Sequence, residues 1–231
     1  MRRLLIILLS LLATTAGAGP WPRETGQIYV YTGHQGADDG WSGLYVEYGL
    51  ERDLTFGLDL GGHIVGLPEL YYTGLSEHPV DGRARAFIRA PIPIPDAAPA
   101  WVEPWLASVE AGVGRDYLDN GGQINRLGIG ASIGRGFGSR IGDGWFTLDM
   151  RMAFAAEAET RSNLGAVAGI KPHSRVAIEF GAFVEHEETS DWQAGPTLQV
   201  SAGRAGDLRL GVVHLSGEER VEIVAGWSLT F

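Results

Sequence analysis

Apolar and polar residues alternate along most of the chain, in stretches of about ten residues that turn-forming residues separate. In the segment WFTLDMRMAF, Phe146, Leu148 and Met150 share one face, whereas Thr147 and Asp149 share the other. An alternation of period two indicates β-strands, because successive side chains of a strand point to opposite faces. The pattern predicts twelve strands, near residues 24–33, 41–51, 53–65, 80–91, 103–115, 123–136, 144–158, 162–171, 174–187, 191–203, 207–216 and 219–231.

These strands are predicted to close into one barrel that crosses a membrane. Beyond the first residues there is no apolar run of about 18 residues or more, so no membrane helix is predicted. Only helices and closed barrels satisfy every backbone hydrogen bond in lipid. Repeated alternating segments with tryptophan and tyrosine near their ends are typical of such barrels. We therefore predict an all-β fold, an antiparallel transmembrane β-barrel of about 12 strands, with 10 or 14 strands as alternatives.

The N-terminal residues have the features of a secretory signal peptide. Arg2 and Arg3 precede an apolar stretch at 4–12, and Ala16-Gly17-Ala18 has the small-x-small form of a cleavage site. The stretch is too short for a membrane helix. We expect residues 1–18 to be a cleaved signal peptide and residues 19–231 to form the barrel.

The last strand has a distinctive ending. In VEIVAGWSLTF every second residue back from Phe231 is apolar, and no polar tail follows. This segment resembles the C-terminal β-signal of Gram-negative outer-membrane proteins, and EYGLERDLTFGLDLGGH resembles hairpins of a broad proteobacterial group of uncharacterised or transporter-like barrels. The resemblance implies location in the outer membrane, contact with its lipid, and recognition by the barrel-assembly machinery.

Composition narrows the possible partners. The formal net charge is −10, and it becomes −12 when the two leader arginines are removed. An acidic chain is not expected to bind nucleic acid, whose phosphates require a basic surface. There is no cysteine, although a secreted soluble β-sandwich of this size often uses disulfides. This absence, the terminal Phe strand and the aromatic strand ends favour the membrane barrel over the sandwich.

Charged residues of both signs fall on the inferred inner face. Arg83, Arg85 and Arg89 lie at even spacing on the fourth strand, so they are predicted to form a basic ladder. The candidate lumen-lining or pore-lining residues are Arg83, Arg85, Arg89, Glu47, Asp59, Glu110, Arg126, Asp149, Arg151, Glu179, Arg175 and Glu222.

The ladder permits two interpretations, which the sequence leaves open. In the first, arginines facing carboxylates line a path for a small solute, and the protein is a porin-like pore or transporter. In the second, arginine–carboxylate pairs close the lumen, and the barrel is a non-transporting structural or surface protein. The longest predicted outer loop, 67–79, is apolar enough to fold inward as a plug.

A third hypothesis is a lipid-modifying outer-membrane hydrolase. Lipid A deacylases carry a His-x-Ser pair near the C-terminus with a glutamate partner, and His214 and Ser216 resemble that pair. Glu218, Glu219 or Glu222 is the candidate partner. The resemblance is incomplete because Gly217 stands next to Ser216, where those enzymes usually continue with asparagine after the serine. We therefore assign no enzymatic activity from the sequence.

No cofactor or metal site is predicted. Asp59 and His63 share one strand face and Glu47 lies on the neighbouring strand, but such pairs are more often hydrogen bonded in a lumen than bound to metal. Asp116, Asp119 and Asn120 lack the spacing of a calcium loop. The GIGASIGRGFG run follows strand alternation and has no helix after it to bind a phosphate.

Overall fold

The computed structural model of the protein describes residues 19–37, 40–63, 81–94, 105–216 and 220–231. The predicted signal peptide at 1–18 and the predicted plug loop at 67–79 lie outside these residues.

Twelve antiparallel strands form a closed barrel, which confirms the predicted fold class. Each strand pairs with its neighbours in the chain, and β1 pairs with β12 to close the ring. The strands are β1 Ile28–Gln35, β2 Trp41–Gly49, β3 Thr55–His63, β4 Gly82–Pro91, β5 Trp105–Tyr117, β6 Gln123–Ser139, β7 Gly142–Phe154, β8 Arg161–His173, β9 Val176–His186, β10 Ser190–Ser201, β11 Asp207–Leu215 and β12 Arg220–Thr230.

The barrel has an apolar outside and a polar inside. Among the described residues, 3 apolar side chains are buried, against 14 that are polar or charged. Large apolar side chains are exposed around the outer surface, including Val221 (67%), Ile223 (66%) and Leu127 (58%). An apolar surface of this extent on a soluble monomer would be an aggregation hazard, whereas lipid solvates it. In the described residues no helix is long and apolar enough to span a membrane.

Aromatic side chains on the inner face lie over glycines of the wall. A Cβ atom added at any of these glycines would collide with the ring, so the ring fits only because glycine has no side chain. Trp41 covers Gly61, Phe87 covers Gly57, Trp145 covers Gly169, Phe183 covers Gly165, and Tyr31 covers Gly226. The space that these five glycines leave is thus filled by aromatic rings.

The described residues that precede β1, and Phe231 after β12, lie at the same end of the barrel, which we name the terminal end; the opposite end is the distal end. At the terminal end, 3-10 turns at Glu51–Asp53 and Gly203–Ala205 join β2 to β3 and β10 to β11. The turn between β8 and β9 was predicted at Pro172 and His173. The structure places these two residues within β8, where a bulge between Ile170 and His173 shifts the register, and the turn follows them.

Candidate functional site: the barrel lumen

Eleven of the twelve predicted lumen residues, all of which the structure describes, lie on the inner face of the wall. The exception is Arg175. It is exposed in the turn between β8 and β9, because β8 extends past Pro172 and moves the turn to Ser174 and Arg175. The prediction that Arg175 lines the lumen is therefore corrected.

The inner-face charges near the terminal end form one network, which we name the terminal cluster. Its members are Arg23, Glu47, Arg85, Arg89, Glu110 and Arg151. Glu47 is fully buried and accepts hydrogen bonds from Arg23 Nε at 2.5 Å and Arg89 Nη1 at 2.6 Å. The Tyr45 hydroxyl donates to the same carboxylate at 2.6 Å. Three donors thus satisfy a carboxylate that burial alone would strongly destabilise.

Glu110 is the second centre of the terminal cluster. Its side chain is 3% exposed and accepts from Arg89 Nη2 at 3.1 Å and Arg151 Nε at 3.0 Å. Arg85 also pairs with it. Two rungs of the predicted ladder, Arg85 and Arg89, are therefore joined by one carboxylate of the adjacent strand. Their guanidinium groups are held in ion pairs rather than presented freely to a solute.

A second network, the distal cluster, lies toward the other end and contains Arg83, Asp116, Arg126, Arg161, Glu185 and Glu187. Arg126 Nε donates to Asp116 Oδ2 at 2.5 Å and its Nη1 donates to the Glu159 carbonyl at 2.8 Å. Arg161 Nη2 donates to Asp116 Oδ2 at 3.1 Å. Arg161 was missed because it precedes the predicted strand 162–171, and Glu187, the last residue of the predicted strand 174–187, lies in the loop after β9.

One ion pair of the distal cluster reaches across the lumen. Arg83 on β4 donates to Glu185 on β9 at 3.3 Å, and four strands separate β4 from β9 on the shorter side of the ring. Both side chains remain accessible to solvent, with 38% of Arg83 and 43% of Glu185 exposed. Arg151 keeps 30% exposure, and Phe183, which lies on the inner wall, keeps 41%. Solvent space therefore borders these side chains inside the barrel.

The remaining predicted residues occupy separate positions on the wall. Glu179 pairs with Arg209, and Glu222 accepts from Gln35 at 2.9 Å and from Arg220 at 2.6 Å. Asp59 lies opposite Arg85 in the β3–β4 register.

The segment at residues 19–23 enters the lumen at the terminal end, a feature that the strand pattern did not predict. Pro20 and Arg23 are buried, and Arg89 Nη1 donates to the Gly19 carbonyl at 3.1 Å. The expected first strand began at residue 24, whereas β1 begins at Ile28. Two prolines within GPWPR exclude a ladder strand at this point, and this was the available signal in the sequence.

The described residues do not assemble the hypothesised hydrolase triad. His214 is exposed on the outer face and packs against the Trp192 ring with centroids 5.2 Å apart, whereas Glu222 lies on the inner face. Ser216 Oγ accepts the Trp192 backbone N–H at 2.9 Å. The wall of the barrel separates His214 from Glu222, so this pairing is wrong. Glu218 and Glu219 lie outside the described residues.

The candidate metal ligands also have other partners. His63 packs edge-on against Trp41 with ring centroids 5.2 Å apart, and Glu47 is held by arginines in the terminal cluster. Asp116 belongs to the distal cluster. Within the described ranges no group of three or more histidine, aspartate and glutamate side chains is arranged to hold a metal ion.

Comparisons with known proteins place the fold. No family model and no curated protein matches the chain. A KdgM porin structure is similar over 88% of this chain and 99% of its own, with a TM-score of 0.59 and 9% identity. A second structure, of KdgM porin in complex with disordered oligogalacturonate, has a TM-score of 0.58 and 10% identity, and the similarity covers 89% of this chain and 99% of that one. A NanC porin structure has a TM-score of 0.56 and 7% identity, and the similarity covers 87% of this chain and 97% of that one. At such identities the likeness shows the fold alone: the chain has the barrel fold of these porins.

Proposed function

We propose that the protein is an outer-membrane channel that passes a small polar solute. The observation that carries the proposal is the solvent exposure of inward-facing side chains, since a packed lumen would bury Arg83, Glu185, Phe183 and Arg151. The apolar outer surface supports insertion in a membrane. The fold shared with KdgM and NanC porins supports a channel, and the C-terminal Phe strand supports assembly in the outer membrane.

The distribution of charge supports weak ion selectivity. Arg85 and Arg89 share Glu110, Arg89 also pairs with Glu47, and the exposed Arg83 faces Glu185. A solute therefore meets paired charges rather than a purely basic track. KdgM porin has been solved with oligogalacturonate, an acidic saccharide, so this compound is a suitable probe. We expect it to compete poorly with small neutral saccharides in this channel.

The exposed pair across the lumen provides a test of the solute path. Arg83→Gln should shift the reversal potential in a salt gradient toward cation selectivity, because one positive charge is removed beside Glu185, which keeps its pairing with Arg161. Glu185→Gln should shift it toward anion selectivity. Arg115→Gln is the matched control, since Arg115 is exposed on the outer face and bonds to Asn125 and Gln123. A channel whose selectivity is the same in all three variants would contradict a path along Arg83 and Glu185.

A closed structural barrel is the second candidate. The observation that favours it is the density of ion pairs in the two clusters, together with the segment at 19–23 inside the terminal end. It predicts no conductance in planar bilayers from correctly folded protein, whereas the channel predicts discrete steps.

A further inference from the structure

We propose that residues 19–23 form a tethered constriction, which occupies the terminal end of the lumen and narrows the passage there. We name these residues the inner segment. The inference rests on the proposed channel for its effect on conductance, but the position of the segment is tested independently of it.

The inner segment is held by contacts with several strands. Arg23 Nε pairs with Glu47 of β2 at 2.5 Å, and its guanidinium lies 4.3 Å from the centroid of the Tyr29 ring. The Arg23 backbone N–H donates to Thr55 Oγ1 of β3 at 3.3 Å. Arg89 of β4 donates to the Gly19 carbonyl. These contacts satisfy backbone and side-chain polar groups that burial would otherwise penalise.

The segment also reaches β6, so it extends across the lumen. A Cβ atom added at Gly134 of β6 would lie 2.7 Å from Pro20 Cγ and 2.9 Å from Trp21 Cη2. Contacts on β2, β3, β4 and β6 place the segment between separated parts of the wall. A passing solute must go beside it, because the segment and the terminal cluster share the same level of the barrel.

A turn at the rim directs the chain into the lumen. Gly26 has a φ of 83°, the Gln27 N–H donates to the Glu24 carbonyl at 2.9 Å, and the Gly26 N–H donates to the Gly49 carbonyl at 2.8 Å. Gly49 lets the segment approach, since a Cβ atom there would collide with the Glu24 carbonyl and lie 2.9 Å from the Arg23 oxygen. Glycine at 49 is thus required by the position of the segment and not by the strand itself.

The position can be tested by a disulfide, since the chain has no cysteine of its own. The contact between Gly134 and Pro20 brings the Cβ atoms of P20C and G134C close to the separation of about 4 Å that a disulfide requires. The control pair is P20C with G136C, because a Cβ atom at Gly136 would have only the Gly144 oxygen within 4 Å, at 3.9 Å. Oxidation should cross-link the first pair and not the second. Equal cross-linking, or none in the first pair, would overturn the proposed position.

The effect on passage can be tested by removing or displacing the segment. Deletion of Pro20, Trp21 and Pro22 keeps Gly19 at the predicted cleavage site and keeps the pairing of Arg23 with Glu47 possible. We expect unitary conductance to rise about twofold, because the cross-section of the lumen beside the inner segment widens. Gly49→Ala should raise it in the same direction, because the new methyl group displaces the segment backbone. Gly43→Ala is the matched control on β2, where a Cβ atom has only an ordinary 3.7 Å contact.

The two experiments separate the two proposals. A cross-link in a barrel that never conducts would leave the segment in its position and refute the channel. A conducting barrel with no cross-link would refute the position of the segment. A conducting, cross-linked barrel whose conductance is the same after deletion and in Gly49→Ala would refute the constriction.

Discussion

At the scale of single residues, Glu110 connects three arginines of the lumen. It accepts from Arg85, Arg89 and Arg151 while its own side chain is 3% exposed. The three arginines satisfy the buried carboxylate, and its removal leaves Arg85 and Arg151 without this partner, whereas Arg89 also pairs with Glu47. Glu185 differs because it is 43% exposed and water hydrates it.

The first prediction concerns this difference. Glu110→Gln should destabilise the folded barrel by about 3–5 kcal/mol, the usual cost of removing one partner of a buried ion pair. Glu185→Gln should change the free energy of unfolding by about 1 kcal/mol or less, as for exposed pairs. Reversible urea unfolding in lipid vesicles measures both values. Equal losses in the two variants would contradict the assignment of Glu110 as a structural centre.

The sequence predicted which residues face inward but not how they pair. The inward direction of Arg83, Arg85 and Arg89 follows from the period of two, which needs only local information. The contact of Arg83 with Glu185 joins residues 102 positions apart and depends on closure of the ring. The prediction that Arg175 lies on an inward-facing strand failed for a local reason, because the bulge in β8 moved the turn by a few residues and placed Arg175 in it. The aromatic rings that lie over inner glycines were not predicted, because each of these contacts joins two neighbouring strands.

At the scale of elements, β12 closes the barrel and carries the terminal aromatic residue. Its register with β1 runs from the pair Tyr29 and Thr230 to the pair Gln35 and Val224. Phe231 is 70% exposed, and its backbone N–H donates to the Ile28 carbonyl at 2.9 Å. The Phe231 side chain therefore makes few contacts within the barrel, so an effect of its replacement on assembly can be separated from one on packing.

The second prediction separates assembly from stability. Phe231→Ala should leave the free energy of unfolding of refolded protein within about 0.5 kcal/mol of the original, as is usual for surface substitutions. In a Gram-negative host it should reduce the amount of barrel in the outer membrane. Val221→Ala is the control, because Val221 is 67% exposed on the same strand. Normal membrane levels of Phe231→Ala would refute a signal at this residue.

The twelve strands were predictable because in each strand apolar residues face outward and polar residues face the lumen, so the alternation is visible in the local sequence. Their ends were less predictable, since pairing with neighbours decides where a ladder stops. β1 begins at Ile28 rather than 24 because residues 24–27 form the rim turn, and β7 ends at Phe154 rather than 158. The inner segment was missed for a different reason: its contacts are with β2, β3, β4 and β6, which are distant in sequence, so a local pattern cannot predict them.

At the scale of the whole molecule, the polarity of a soluble protein is reversed. The outer surface is apolar, and the inner face holds two ionic clusters in which Arg83, Glu185 and Arg151 remain accessible to solvent. The terminal end is narrowed by the terminal cluster and the inner segment. In the proposed channel, the inner segment narrows the terminal end, and the pair of Arg83 with Glu185 crosses the lumen in the distal cluster.

The most direct test of the proposed channel is the single-channel conductance of the purified, refolded barrel in a planar bilayer. A channel of this kind should give discrete steps of uniform size, with a reversal potential close to zero in a salt gradient, because the charges of the lumen are paired. Correctly folded protein that produces no steps over a wide range of voltages would contradict the channel and would favour a closed structural barrel.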